Sequence, residues 1–305
     1  MRLAIFYGGG NDLPAHLRGA AEAEEDGMDS IWYGQVFGPD AVMVAALAGQ
    51  STSRIEIGTS VVPTYPRHPV IMAQQALTAQ AAANGRFTLG IGLSHRPVVE
   101  GMFGLSYERP AAHMREYLSV LQPLLKEGRT SFQGEFFRVR ASAQVPGTQP
   151  PSVLIAALAP VMLRIAGEMA DGTITWMAGP KTLETHIVPK MSAAAEAAGR
   201  PRPRVVAGLP IAVTDDVAGA REKAARSFQI YGTLPNYQRV LNIEGASGPA
   251  DVALIGNEAA VEKQLRGLAG AGATDFLAGA FPVGDDAPAS LARTRALLKS
   301  LAGKL

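Results

Sequence analysis

Seven small or turn-forming residues, Gly58, Ser60, Pro63, Pro66, Gly90, Gly92 and Ser94, gather near the ends of two apolar runs at 54–61 and 87–92. Runs of this kind separated by a helical segment (69–83, stopped at Gly85) read as parallel strands joined by a crossover helix. The carboxyl ends of such strands are where βα folds build their sites. Residues with little or no side chain there would let a flat ligand lie against bare backbone. The side chains capable of proton transfer are sparser. Five histidines (His16, His68, His95, His113, His186) are scattered along the chain, without metal-ligand spacing. There is no cysteine, which excludes disulfides, thiolate metal sites and thiol nucleophiles. No P-loop, H-E-x-x-H or G-x-S-x-G elbow occurs.

The elements that must position these residues follow in chain order. Apolar strands are expected at 2–7, 29–33, 54–61, 87–92, 153–158, 173–177, 204–213 and 274–281, each followed by a helical segment. Helix signals support the alternation: Gly27 and Gly199 stand where left-handed caps are wanted, Pro160 opens a helix, and Thr214 and Asn257 are N-cap candidates. Eight strand–helix repeats predict a (β/α)8 TIM barrel with insertions, a fold of about 250 residues before insertions. The two irregular stretches, 128–150 and 232–252, are the insertions. The first reads as a hairpin, and both are expected to cap the barrel mouth as lids. The reading is one domain over residues 1–305. A dinucleotide-binding sheet fails, because Gly8-Gly9-Gly10 and Gly90-x-Gly92 do not complete G-x-G-x-x-G and the second strand does not end in an acid.

Composition limits the partners. The 305 residues carry a formal net charge of +1 and are 47% hydrophobic, with basic and acidic residues interspersed. That balance predicts no nucleic-acid or membrane partner and leaves a small molecule as the ligand. No leader-like segment opens the chain, so a cytoplasmic location is expected.

Five stretches carry a resemblance: GMDSIWYGQVFG (27–38), IEIGTSVVPTYPRHP (55–69), GRFTLGIGLSHRPVVEGMFGLSYERP (85–110), PVMLRIAGEMADGTITWM (160–177) and GATDFLAG (272–279). In this order they are similar to the luciferase-like monooxygenase superfamily, specifically its actinobacterial oxidoreductases that use the deazaflavin coenzyme F420. The resemblance implies an F420 site. Gly58, Ser60 and Val61 would support the back of the ring, with a non-proline cis bond at Ser60–Val61. Gly90, Gly92, Leu93 and Ser94 would meet the ring and its tail. Ala157, Leu158, Ala159, Pro160 and Val161 would form the phosphate turn, where a helix N-terminus offers free N–H groups. Relatives often carry Gly-Pro-Arg where this chain has Ala159-Pro160-Val161. Gln35 and Val36 stand where sugar-phosphate and alcohol dehydrogenases of the group have an Asp-His pair, so oxidation of an alcohol through that base is not expected. His95 replaces a glutamate and is the candidate catalytic residue, an imidazole being able to exchange a proton near neutral pH.

Tyr7, Gln35, Phe37 and Trp176 are the candidate substrate-pocket residues, since each falls where a strand gives way to a loop. The implied activity is hydride transfer from reduced F420 to a C=C, C=N or C=O of a small organic substrate, in a homodimer. An FMN-dependent monooxygenase on the same scaffold, and a barrel that binds cofactor without catalysis, are the alternatives.

Overall fold

A computed structural model of the chain describes residues 1–7, 10–35 and 37–305. The Gly8–Gly9 part of the first glycine turn, and Val36 of the missing Asp-His pair, lie outside the described residues. Eight strands, all paired in parallel, close on themselves: β1 (Arg2–Tyr7), β2 (Ser30–Tyr33), β3 (Glu56–Thr59), β4 (Phe87–Gly92), β5 (Ser152–Ala156), β6 (Gly172–Trp176), β7 (Arg204–Val213) and β8 (Asp275–Ala280). The ring is completed by Arg2 opposite Asp275 at one seam and by Val206 opposite Ile174 and Asp275 at the others. Parallel strands covered on both faces read as continuous apolar runs, which is why their positions were legible.

Around the barrel lie α1 (Leu13–Glu25), α2 (Ala41–Gln50), α3 (Pro69–Ala82), α4 (Arg96–Gly101), α5 (Pro110–Glu127), α6 (Pro160–Met169), α7 (Val188–Ala197), α8 (Val217–Ser227), α9 (Pro235–Glu244), α10 (Glu258–Gly270) and α11 (Ala287–Leu301). Their ends follow local chemistry. Asp40 accepts from the Val42 and Met43 N–H groups, and Asn257 accepts from Ala260 N–H. At α8 the cap is Asp216, which accepts from Gly219 N–H; Thr214 instead accepts from Asp216 N–H. The first insertion contains an antiparallel hairpin, Arg129–Gln133 with Arg138–Ser142, against α5. The second carries α9.

The barrel interior is layered. At the amino ends of the strands Arg204 binds Asp275 (2.9 and 2.5 Å) and Glu56 (2.7 and 3.2 Å), and Arg2 reaches Glu56 at 2.6 Å. Thr88 donates to Glu56 as well. Burial alone would raise the Glu56 pKa, but the Arg204 and Arg2 charges and hydrogen bonds outweigh it and hold it below its ordinary value. Above this plug sits an apolar layer of Ala4, Trp32, Leu154, Ile174, Val206 and Leu277. Phe6 and Val61 cover it toward the opposite end, where the cavity begins.

Candidate active site

The third strand is not the continuous 54–61 run that the sequence suggested. Its ladder with β4 pairs Gly58 with Thr88 and resumes as Val62 with Ile91. Four steps on one strand thus match three on the other, which is a bulge. The Ser60–Val61 bond within it is cis. Thr59 repairs the interrupted ladder, its hydroxyl accepting from Gly90 N–H and donating to Gly90 C=O, both at 2.9 Å. The bulge turns Ser60 and Val61 into a cavity at the carboxyl end of the barrel.

That cavity has two adjoining lobes. The inner one, about 140 Å3, is walled by Phe6, Ser60, Val61, Ala156, Leu158, Ile174, Thr175, Trp176, Tyr231 and Tyr237. The outer one, about 130 Å3, shares Val61, Ala156, Leu158 and Tyr237 and adds Gly92, Leu93, Ser94, His95, Tyr107, Ala159, Met162 and Asn236. A larger open cleft of about 650 Å3 lies between α5 and the hairpin, lined by residues such as Ser119, Arg129 and Arg140. It sits outside the barrel and contains none of the candidate residues.

The strand-end lobes therefore bring together Ser60, Val61, Gly92, Leu93, Ser94, His95, Leu158, Ala159 and Trp176 from the sequence-derived set. The remaining candidates fall elsewhere. Gly58 and Gly90 are buried and line neither lobe. A Cβ on Gly58 would fall 2.3 Å from the Trp32 ring, and one on Gly90 would fall 1.9 Å from the Thr59 carbonyl oxygen. Their missing side chains make room for the barrel interior and the bulge, not for a ligand. Gly92 lines the outer lobe, yet its Cβ position is taken by Val61 at 2.6 Å.

Ala157 is packed in the core, while Pro160 and Val161 lie past the wall, with Val161 half exposed. Tyr7 faces outward onto α1, where its ring contacts Gly19 and His16, because Phe6 takes the inward position on the alternating strand. Gln35 accepts from Ala41 N–H at the head of α2, and Phe37 is exposed; neither lines the lobes. The insertion at 128–150 contributes no wall residue either, so it does not cap this cavity.

Three wall residues were missed because they lie in, or on the residue leading into, the irregular second insertion. Tyr231, Asn236 and Tyr237 hang over the lobes, with the two tyrosine rings edge to face at 5.0 Å. The far end of α9 is pinned: Glu244 accepts from the Lys181 and Thr182 N–H groups, and Thr182 donates to the Val240 carbonyl. Opposite them stands Trp176, with room for its indole left by Gly208 and Gly279, whose Cβ atoms would fall 2.9 and 2.6 Å from the ring. A glycine on each of two neighbouring strands was the signal for it.

The polar groups of the site have distinct states. His95 sits half-buried at the head of α4, 5.8 Å from the Tyr237 ring. Burial lowers its pKa, so the ring is neutral at pH 7. Ser94, just before it, holds the left-handed conformation (φ 60°), uncommon for a serine, and its carbonyl accepts from the Tyr107 hydroxyl at 3.3 Å. Burial raises both Tyr231 and Tyr237. The Trp176 indole N–H partly offsets that on Tyr231 without reaching hydrogen-bond geometry.

At the other rim α6 starts from Ala159, which offers no side-chain cap, so its first N–H groups are left for a ligand. His186 Nε2 donates to the Leu158 carbonyl and fixes that turn. Among the described residues no group of three or more His, Asp or Glu side chains could hold a metal ion, and no helix is long and apolar enough to cross a membrane.

Comparison with known proteins gives this site its context. The F420-dependent glucose-6-phosphate dehydrogenase of Kineococcus radiotolerans is 29% identical over 65% of this chain and 63% of its own length. The coenzyme F420-dependent tetrahydromethanopterin reductase from Methanopyrus kandleri superposes with a TM-score of 0.81, covering 100% of this chain and 98% of that one at 22% identity. The oxygenating constituent of 3,6-diketocamphane monooxygenase from Pseudomonas putida, in complex with FMN, superposes at 0.78, covering 100% and 97% at 16% identity. The sequence family described as luciferase-like monooxygenase matches residues 1–301, and the chain therefore belongs to that family of oxidoreductases.

Proposed function

We propose that this oxidoreductase uses coenzyme F420 and reduces a C=C, C=N or C=O bond of a small organic molecule at the barrel mouth. The observation that carries the reading is the convergence of three segments on one two-lobed cavity: the β3 bulge, the turn after β4 and the first turn of α6. The residues present fit such a cofactor. Apolar surface from Val61, Ala156 and Leu158 suits a flat ring, and the uncapped α6 N-terminus suits the anionic tail. Arg96, stacked 5.4 Å from the Tyr107 ring at the outer lobe, is the cation beside that rim. The name of the Kineococcus relative supports F420 over FMN.

When bound, reduced F420 supplies a hydride from its C5 carbon. The chain supplies the rest. Val61 and Leu158 would hold the ring at the wall the two lobes share, and Tyr231 and Tyr237 would shield it from water. His95, neutral at rest, would hydrogen-bond the substrate atom that gains charge and, once protonated from solvent at the outer lobe, would pass that atom a proton and return to neutral imidazole. The protein loaded with reduced F420 should reoxidise it on addition of simple enones, imines or ketones. Consumption of oxygen by an FMN-loaded protein, with no acceptor turned over by the F420 form, would overturn the proposal.

A further inference from the structure

The inner lobe is built almost wholly from uncharged side chains. Among its described wall residues there is no lysine, arginine, aspartate or glutamate; the polar side-chain groups are the hydroxyls of Ser60, Thr175, Tyr231 and Tyr237 and the indole N–H of Trp176. The cations nearest in sequence to the site are already engaged: Arg67 with Asp40, Arg96 with Glu100 and the Tyr107 carbonyl, and Arg164 with Glu168 at 3.8 Å. A phosphate or carboxylate entering the inner lobe would lose its hydration and find no counter-charge. Aromatic faces, by contrast, are abundant. Trp176 lies 5.5 Å from Phe6 and 6.0 Å from Tyr231, and Tyr231 lies 5.0 Å from Tyr237.

We infer that the substrate is an uncharged, ring-sized molecule lying against the continuous aromatic wall of Phe6, Trp176, Tyr231 and Tyr237, and that phosphorylated or carboxylated substrates are excluded. The inference rests on the reading of these lobes as the active site. Size agrees with it, since an apolar cavity of about 150 Å3 takes a benzene-sized ring. The hydroxyls of Tyr231 and Tyr237, kept protonated by burial, can donate to a carbonyl oxygen on such a ring, and Tyr237, which walls both lobes 5.8 Å from the His95 ring, can set that oxygen toward His95.

The test is saturation-transfer NMR on the full-length protein, with and without F420, using cyclohexanone, its oxygen-free isostere methylenecyclohexane, and glucose 6-phosphate as probes. Cyclohexanone should bind, glucose 6-phosphate should not, and Tyr231→Ala should weaken cyclohexanone about tenfold through loss of ring contact and donor together. Tyr231→Phe should weaken cyclohexanone while leaving methylenecyclohexane unchanged, a split that a folding defect would not produce. Binding of glucose 6-phosphate, or cyclohexanone binding indifferent to both variants, overturns the inference. A failure of F420 to bind, read separately from cofactor fluorescence, would overturn the proposed function while the probe result on the unloaded protein still judges the lobe.

Discussion

Replacing Arg204 with methionine should destabilise the protein severely without touching the cavity. Arg204 makes four hydrogen bonds to two carboxylates at the amino end of the barrel, where the Asp275 side chain is 1% exposed and that of Glu56 is 15% exposed. Its guanidinium also stacks 5.4 Å from the Trp32 ring. Methionine keeps the stem volume but leaves Asp275 and Glu56 facing each other with only Arg2 to compensate. Removing one partner of a buried ion network costs about 3–5 kcal/mol. For a chain of this size that is a fall in Tm of roughly 5–8 °C. The assay is thermal unfolding followed by circular dichroism, with Arg164→Met, at an exposed pair, as the control expected within about 0.5 kcal/mol of the parent.

The pH dependence follows from the direction of the Glu56 shift. Its folded pKa is depressed, so the stabilisation is complete above the unfolded value and is lost as pH falls through the folded one; the Arg204→Met penalty should shrink in acid. A Tm change under about 2 °C at neutral pH would refute the layered account of the interior.

Three further outcomes are expected. Gly90→Ala should lower stability by about 1–3 kcal/mol in chemical denaturation, because its Cβ would meet backbone at the bulge, 1.9 Å from the Thr59 carbonyl oxygen, and that atom cannot swing away. Glu24 accepts from the Ser53, Arg54 and Ile55 N–H groups, which outweigh the upward push of burial and bring its pKa to about 2. Glu24→Gln should therefore cost ~1 kcal/mol at neutral pH, and the deficit should vanish as pH falls from about 4.5 toward about 2, read by unfolding at each pH. His95→Ala should reduce kcat about 100-fold and remove any inflection below pH ~6.5 from the kcat profile, since burial places the histidine's titration below its ordinary value.

How much of this the sequence carried depended on the physical signal. The eight strands were legible because parallel strands buried on both faces are apolar throughout and are bounded by glycine, proline and caps. The outer-lobe turn of Gly92 to His95 was legible as a motif. Tyr7 was misplaced by one residue of alternation: Ala4 and Phe6 face the barrel interior, so Tyr7 must face out, a period-two inference that proximity to the strand end concealed. Gly58 and Gly90 were correctly seen as special, but the neighbour requiring the missing side chain was the protein itself. Asn236 and Tyr237 lie, with Tyr231 at its threshold, in an insertion whose fold over the mouth is decided by tertiary contacts such as Glu244 with Thr182, and no local pattern announces those.

The most direct test of the central claim is a paired fluorescence titration of the purified protein with F420 and with FMN. The account predicts micromolar or tighter binding of F420 with little response to FMN, and a weakened F420 affinity when Ser94, at the turn of the outer lobe, is replaced by a bulky residue such as leucine. Preference for FMN, or binding of neither cofactor, would contradict it.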